Sequence, residues 1–236
     1  MLDVSNLSAG YGAVTVLQDV SIAVDEGKLV VITGPNGHGK TTLLRVLSGL
    51  LPVNQGEVQF RGERLNGRSA AAIVGRGLVH IPQGDLLFVD LTVEQNLFMG
   101  AYLRNAWKSR RERIRLVYEL FPRLEERRTQ QARTLSGGER RMLGIGRGLM
   151  SNAKMLMVDE PALGLAPVLV QEVYATLDRI ARSEATVLLV EETLANARGI
   201  ADYVYLMDTG RIVHEGTMAE LGADVLATTY LGSKEG

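Results

Sequence analysis

Three short stretches of this chain carry residue types and spacings that could do chemistry. The first is Gly34-Pro35-Asn36-Gly37-His38-Gly39-Lys40-Thr41-Thr42, which fits a glycine, four free positions, then Gly-Lys-Thr. Backbone N–H groups along Gly34, Asn36, Gly37 and Gly39 can turn inward as an anion nest. A helix opening at Lys40, Thr41 and Thr42 would add unpaired donors and the positive end of its dipole. Lys40 is then placed to reach the β- and γ-phosphates of a nucleoside triphosphate, and the Thr41 hydroxyl to ligate Mg²⁺. The second stretch is Met155-Leu156-Met157-Val158-Asp159-Glu160, an apolar run ending in two carboxylates. Asp159 can hold the Mg²⁺ shell and Glu160 can orient an attacking water. Alternation along a strand sends the two side chains different ways, so the roles need not compete. The third is Leu135-Ser136-Gly137-Gly138-Glu139-Arg140-Arg141. It reads as a second anion-binding helix N-terminus, or simply as a helix cap, with Ser136 at the cap and Glu139 three residues on.

These residues need elements to hold them. Leu29-Val30-Val31-Ile32-Thr33 reads as a buried strand before the glycine loop, and Leu43, Leu44, Val46 and Leu47 give helical spacing after it. Residues 2–33 otherwise read as short strands separated by Gly and Asp turns, with Val20, Ile22 and Val24 on one face. Residues 56–65 read as a hairpin arm, 68–76 as a short helix, and Leu78–Pro82 as a strand stopped by proline. Residues 92–133 turn helical and rich in arginine. The default reading is a solvated basic face, and the sharper one a docking surface for another protein. From 136 to 200 the pattern predicts helix, strand, helix, strand, helix, the strands Lys154–Val158 and Ala185–Val190 being apolar enough for burial on both faces. Tyr203–Met207 and Arg211–His214 predict a terminal hairpin around Asp208-Thr209-Gly210. The architecture implied is α/β, a parallel core sheet with an antiparallel β portion and a helical insertion.

The bulk composition removes several alternatives. With 236 residues the chain can form one large domain or two small ones. A net charge of −1 gives no field suited to nucleic acid. The absence of cysteine excludes disulfides, thiolate metal sites and cysteine nucleophiles. Histidines 38, 80 and 214 are too scattered for a metal-site pattern. His38 reads as a tolerated, solvent-facing loop residue. No apolar run suits a membrane span, and the N-terminus lacks the regions of a signal peptide. The expectation is a cytoplasmic chain that reaches a membrane only through a partner.

The order glycine loop, Leu-Ser-Gly-Gly-Glu, then strand with acidic pair resembles the ATP-binding subunit of ABC transporters, and the likeness covers nearly the whole chain. The resemblance implies a P-loop NTPase fold of the ABC nucleotide-binding type, one domain over 1–236 with a helical subdomain at 92–133. It implies that Tyr11, in Leu7-Ser8-Ala9-Gly10-Tyr11-Gly12, stacks on adenine. It implies that Gln83 touches Mg²⁺ or the attacking water and couples to the helical insertion. Two such subunits would pack head to tail, so that Ser136, Gly137 and Gly138 contact ATP held by the partner chain. Trp107 would then be either a membrane-subunit anchor or a helix-packing residue. The further partners implied are two membrane-spanning permeases and an extracytoplasmic substrate-binding protein, with the chain peripheral on the cytoplasmic side of the plasma membrane and no nucleic acid involved.

Two positions depart from the family pattern. Val187-Leu188-Leu189-Val190-Glu191-Glu192 places Glu192 where the family has a histidine that senses the γ-phosphate, and Ala166 stands where an aspartate is usual. An ionised carboxylate has no proton to donate to phosphate, which puts efficient hydrolysis at this chain's own site in question. The same departures, with the Leu-Gly-Leu-Ala-Pro segment and the N-terminal Ala-Gly-Tyr-Gly, resemble one of the two ATP-binding subunits of branched-chain amino-acid importers. That subfamily pairs two different cassettes, with a homodimer in isolation as the other option. Urea and short-amide importers have similar subunits. Hydrolysis-competent ATPase and ATP clamp with an active partner cassette both remain open readings at this point.

Overall fold

The structure, a computed structural model, describes residues 1–84 and 86–221. The C-terminal stretch 222–236 of the expected domain lies outside the described residues, as does Asp85. Two sheets make up the β portion. A four-stranded antiparallel sheet runs in the order β2-β1-β4-β5, from β1 (Leu2–Tyr11), β2 (Val14–Val24), β4 (Gln55–Phe60) and β5 (Glu63–Arg64). A six-stranded sheet runs β10-β9-β3-β8-β7-β6, from β3 (Leu29–Thr33), β6 (Leu78–Ile81), β7 (Met155–Asp159), β8 (Thr186–Glu191), β9 (Tyr203–Asp208) and β10 (Arg211–Gly216). Its first five strands in sequence pair in parallel and β10 is antiparallel on the edge. The helices are α1 (Lys40–Leu47), α2 (Ala70–Gly75), α3 (Val93–Gly100), α4 (Arg104–Leu120), α5 (Pro122–Glu126), α6 (Gly137–Leu149) and α7 (Pro167–Ser183).

The apolar strands β3, β7 and β8 are buried along their whole length, as their sequences require. Alternation divides them between two cores. Val30, Ile32, Met155, Met157, Leu188 and Val190 pack with α1 and the antiparallel sheet. Val31, Leu156, Val158, Val187 and Leu189 pack with the helices α3 to α7. The parallel sheet is therefore a middle layer, and its C-terminal ends, where Thr33, Asp159 and Glu191 stand, open on one edge. That edge is where open α/β sheets bind ligands.

Three expectations need correction. The first segment is not a set of short strands: β1 and β2 are ten and eleven residues long, and register shifts absorb the irregularity that the sequence suggested as turns. Among the described residues no helix follows β8. Residues 194–201 form successive turns, with bonds from Ala197 to Leu194 and from Ile200 to Ala197. Asn196 and Gly199 are weak helix formers, and the stretch is too short to nucleate on its own. His38 is not a free loop residue, for the reason given with the site below.

The helical, arginine-rich reading of 92–133 stands: α3, α4 and α5 fall within it. Thr92 and Gln95 form a capping box at the start of α3. Trp107 packs edge-on against Phe98 and carries the Arg110 guanidinium 4.0 Å over its ring, while it stays 49% exposed. Among the described residues no helix is long and apolar enough to cross a membrane.

Candidate functional site

The glycine loop joins the C-terminal end of β3 to α1. Gly39 caps α1 at φ +105 without a side-chain bond, and no acidic residue stands in the first turn, so the leading N–H groups stay available to an anion. Gly34 is required by crowding: a Cβ there would lie 2.0 Å from the Met207 carbonyl oxygen. Parallel pairing of β3 with β9 puts the β9–β10 turn beside the loop. His38 is part of that junction. Its carbonyl accepts from Gly210 N–H at 3.0 Å, and its Nδ1 lies 3.2 Å from Thr209 N and 2.7 Å from Asp208 Oδ1. The residue read as merely tolerated thus fixes the loop to the neighbouring turn.

Lys40 is buried, and its Nζ donates to the carbonyls of Gly34 at 2.6 Å and Pro35 at 3.0 Å. The lysine is thereby held against the loop it would share with a phosphate. Burial lowers its pKa, and the carboxylates of Glu160, Glu192, Asp159 and Glu191 act in the opposite direction. Those four acids and Lys40 form one electrostatic unit at the end of the sheet.

Asp159 ends β7 almost fully buried, and both of its carboxylate oxygens lack a hydrogen-bond partner. The Thr41 hydroxyl lies close enough to favour the ionised form, without completing a well-formed bond. Burial raises the Asp159 pKa, against the pull of Thr41, Lys40 and Arg141. Two orphaned buried oxygens beside a hydroxyl fit a Mg²⁺ ion, which prefers one or two carboxylates with substrate phosphate oxygens over a cage of side chains. Among the described residues no three His, Cys, Asp or Glu side chains converge as a metal site.

Glu160 follows immediately, at φ +44. Its Oε2 accepts from Gln83 Nε2 at 2.8 Å, which brings together two residues far apart in the chain. Burial raises the Glu160 pKa, Asp159 and Glu192 add to the rise, and Lys40 and Gln83 oppose it. A carboxylate so placed is a better proton acceptor than an exposed one. One Gln83 amide N–H is committed to Glu160, and its carbonyl oxygen is the atom able to ligate a metal. A cavity of about 450 Å³ lined by Thr41, Arg45, His80, Gln83 and Asp159 adjoins this cluster.

The structure keeps the Leu-Ser-Gly-Gly-Glu segment apart from that cluster. Ser136 and Gly137 are exposed at the start of α6, and no hydrogen bond joins them or Gly138 to the glycine loop among the described residues. Both halves of the predicted capping box form: Ser136 Oγ accepts from Glu139 N–H, and the Glu139 carboxylate accepts from Ser136 N–H at 2.9 Å. Burial works against Glu139's charge, but the Ser136 N–H and hydroxyl, with Arg127 at 2.6 Å, hold its carboxyl below the usual range. Tyr11 ends β1, 43% exposed, its hydroxyl accepting from Arg45 Nη1 at 3.0 Å. Asn36 and Gly37 are exposed at the crest of the loop, and Thr42 is buried beneath it.

Sequence reading missed three groups. Arg45 fixes Tyr11. Tyr174 on α7 donates to the buried Glu191 carboxylate. Arg141 bonds the backbone of both Gln83's neighbours and Glu160. For Arg141 the only local signal was that arginine is a costly residue to bury, and nothing in the sequence showed which arginines are buried.

A family profile described as "ABC transporter" matches residues 17–163. The chain is 40% identical, over 98% of its length and 100% of the relative's, to the "High-affinity branched-chain amino acid transport ATP-binding protein BraG" of Pseudomonas aeruginosa. It is 30% identical, over 98% of its length and 97% of the relative's, to the "Lipopolysaccharide export system ATP-binding protein LptB" of Escherichia coli. Among solved structures it superposes with a TM-score of 0.86 and 28% identity, over 99% of both chains, on the ADP conformation of MJ1267, an ATP-binding cassette of an ABC transporter.

Proposed function

This chain belongs to the ABC transporter family, as an ATP-binding subunit, and we propose that it hydrolyses ATP to energise an importer of branched-chain or other hydrophobic amino acids. The family's cassettes are ATPases coupled to transport. The observation that carries hydrolysis is the convergence of Gln83, Glu160 and the orphaned Asp159 beside Lys40. What supports the substrate class is the name of the Pseudomonas relative. The Escherichia coli relative serves an export system, so direction is part of the proposal.

The chain's residues divide the reaction as follows. Backbone N–H groups of the glycine loop, from Gly34, Asn36, Gly37 and Gly39 to Thr42, and the Lys40 ammonium bind the β- and γ-phosphates and offset charge that builds on them. Thr41, Asp159 and the Gln83 carbonyl would hold Mg²⁺, which supplies charge neutralisation when bound. Glu160 accepts the proton of the attacking water, oriented by Gln83. Tyr11 offers its exposed ring to adenine. Ser136, Gly137 and Gly138 close on a nucleotide held by a second cassette. Residues 1–236 act as one ATP-binding domain, 92–133 its helical subdomain. Two permeases and an extracytoplasmic binding protein complete the assembly, with this chain peripheral on the cytoplasmic side of the inner membrane.

A second reading is favoured by Glu192. Its charge raises the pKa of both Glu160 and Lys40, and an ionised carboxylate offers no donor to a γ-phosphate where the family has a histidine. On that reading the chain clamps ATP while a partner cassette supplies most turnover. Glu160→Gln in this chain alone separates the two, assayed as ATP turnover of the assembled pair. Loss of about 100-fold or more is expected if Glu160 is the base. Turnover unchanged from wild type would sink Glu160 as the base and leave the clamp. Uptake of leucine, valine and urea into vesicles carrying the reconstituted transporter tests substrate and direction.

A further inference from the structure

Arg141 lies inside α6, only 4% exposed. Its Nη1 donates to the carbonyls of Pro82 at 3.4 Å and Gly84 at 3.2 Å, the two residues that flank Gln83. Its Nη2 donates to the Glu160 carbonyl at 3.1 Å. One planar guanidinium therefore spans the segment that carries Gln83 and the peptide that carries Glu160. Those two side chains meet at 2.8 Å.

The Glu160 peptide needs such a partner. A non-glycine residue at φ +44 is in the left-handed region, which L-residues adopt only at an energetic cost. Strained residues persist where the surroundings over-determine them. Here β8 holds one side, through Glu160 N–H to the Val190 carbonyl at 2.9 Å, and Arg141 holds the other. Arg141 is also two residues beyond Glu139, whose carboxylate closes the cap at the exposed N-terminus of α6.

We propose that Arg141 is a positioning residue of hydrolysis: it sets Gln83 and Glu160 against each other and ties that pair to the N-terminal end of α6. The inference rests on Glu160 being the base. It adds a physical link between the segment that would meet a partner's nucleotide and the carboxylate that acts on this chain's own. A displacement of α6 would move the guanidinium, and with it both carbonyl anchors.

The test is ATP hydrolysis by the full chain assembled with its partner subunits. A lysine at 141 keeps the charge but has one nitrogen, which cannot reach both anchors as the guanidinium fork does. Arg141→Lys is expected to lower kcat about tenfold with KM for ATP within about threefold. In a Gln83→Ala background the same change is expected to cost less than about twofold, because the pair it serves is already broken. Wild-type kcat in Arg141→Lys overturns the proposal. So do losses that simply multiply in the double variant, or KM rising in step with a falling kcat, which is the mark of a generally loosened fold. Should Arg141→Lys fail to fold, Arg141→Gln is judged by the same cycle. Glu160→Gln run alongside keeps the two ideas apart. If it retains full turnover, the base assignment fails and this inference with it. If it is inactive while Arg141→Lys is normal, only the role of Arg141 fails.

Discussion

Glu191 allows a quantitative test of the buried acid cluster. It ends β8 with only 7% exposure, and its carboxylate accepts the Tyr174 hydroxyl. Burial pushes its pKa from 4.5 up to about 7, opposed by the Tyr174 bond, reinforced by Glu160 and Asp159, and eased by Lys40. The folded chain thus holds this proton more tightly than the unfolded chain does. Below pH 4.5 the carboxyl is neutral in both states and its full contribution to stability is present. As pH rises through about 7 the folded chain must bury an anion, and that contribution is lost. At about 1.36 kcal/mol per pKa unit the difference amounts to roughly 3 kcal/mol. Glu191→Gln removes the titration and keeps an acceptor oxygen for Tyr174. Urea unfolding of both proteins, with chelator and without nucleotide, from pH 5 to 8.5 provides the measurement. The two should be similar near pH 5, with the variant more stable by up to roughly 3 kcal/mol at pH 8.5. A difference between the two that does not change with pH would refute the reasoning, because titrating groups outside the Glu160, Asp159 and Lys40 cluster cancel in it.

Two further outcomes follow from the same geometry. Asp159→Asn replaces a buried carboxylate that has no hydrogen-bond partner by a neutral amide, and at pH 8 should raise the nucleotide-free unfolding free energy by about 1–2 kcal/mol. It should also weaken Mg²⁺-dependent binding of a fluorescent ATP analogue by at least about tenfold; unchanged Mg²⁺ dependence would remove Asp159 as a ligand. Glu192→His puts a potential donor in place of an acid that draws on the Lys40 charge and raises the pKa of Glu160, and should raise this chain's own turnover by about tenfold. Equal or lower turnover, measured with the partner cassette inactivated, would show that Glu192 is not what restrains the site.

The parts legible in the sequence are those spelled out locally. The glycine loop, the acidic pair and the Ser136–Glu139 box each fit within a few residues, and each forms as its spacing requires. Strands β3, β7 and β8 were legible because both of their faces are buried, which leaves an uninterrupted apolar run. Residues 194–200 misled because Leu194, Ala197 and Ile200 repeat every third position, which suits successive turns as well as a helix. The unread parts of the site are pairings at long range. Arg45 meets Tyr11 across 34 residues, and Arg141 meets Pro82 across 59. Neither leaves a periodic trace, since a single long polar side chain reaching a hydroxyl or a backbone carbonyl changes nothing in its neighbours' pattern.

The cluster at the sheet edge also explains why stability and activity should diverge here. Burial raises the pKa values of Asp159, Glu160 and Glu191 and lowers that of Lys40. Each shift disfavours the charged form in the folded chain, so each group works against folding at neutral pH. A divalent cation and a triphosphate would supply the compensating charges, which makes ligand binding and stability linked quantities. Asp159→Asn and Glu191→Gln should accordingly stabilise the nucleotide-free chain in the same direction, while only the first removes a group assigned to the metal. A residue of this cluster whose neutral variant stabilises the free chain and leaves turnover intact is there for the sheet; one whose variant stabilises it and stops turnover is there for the reaction.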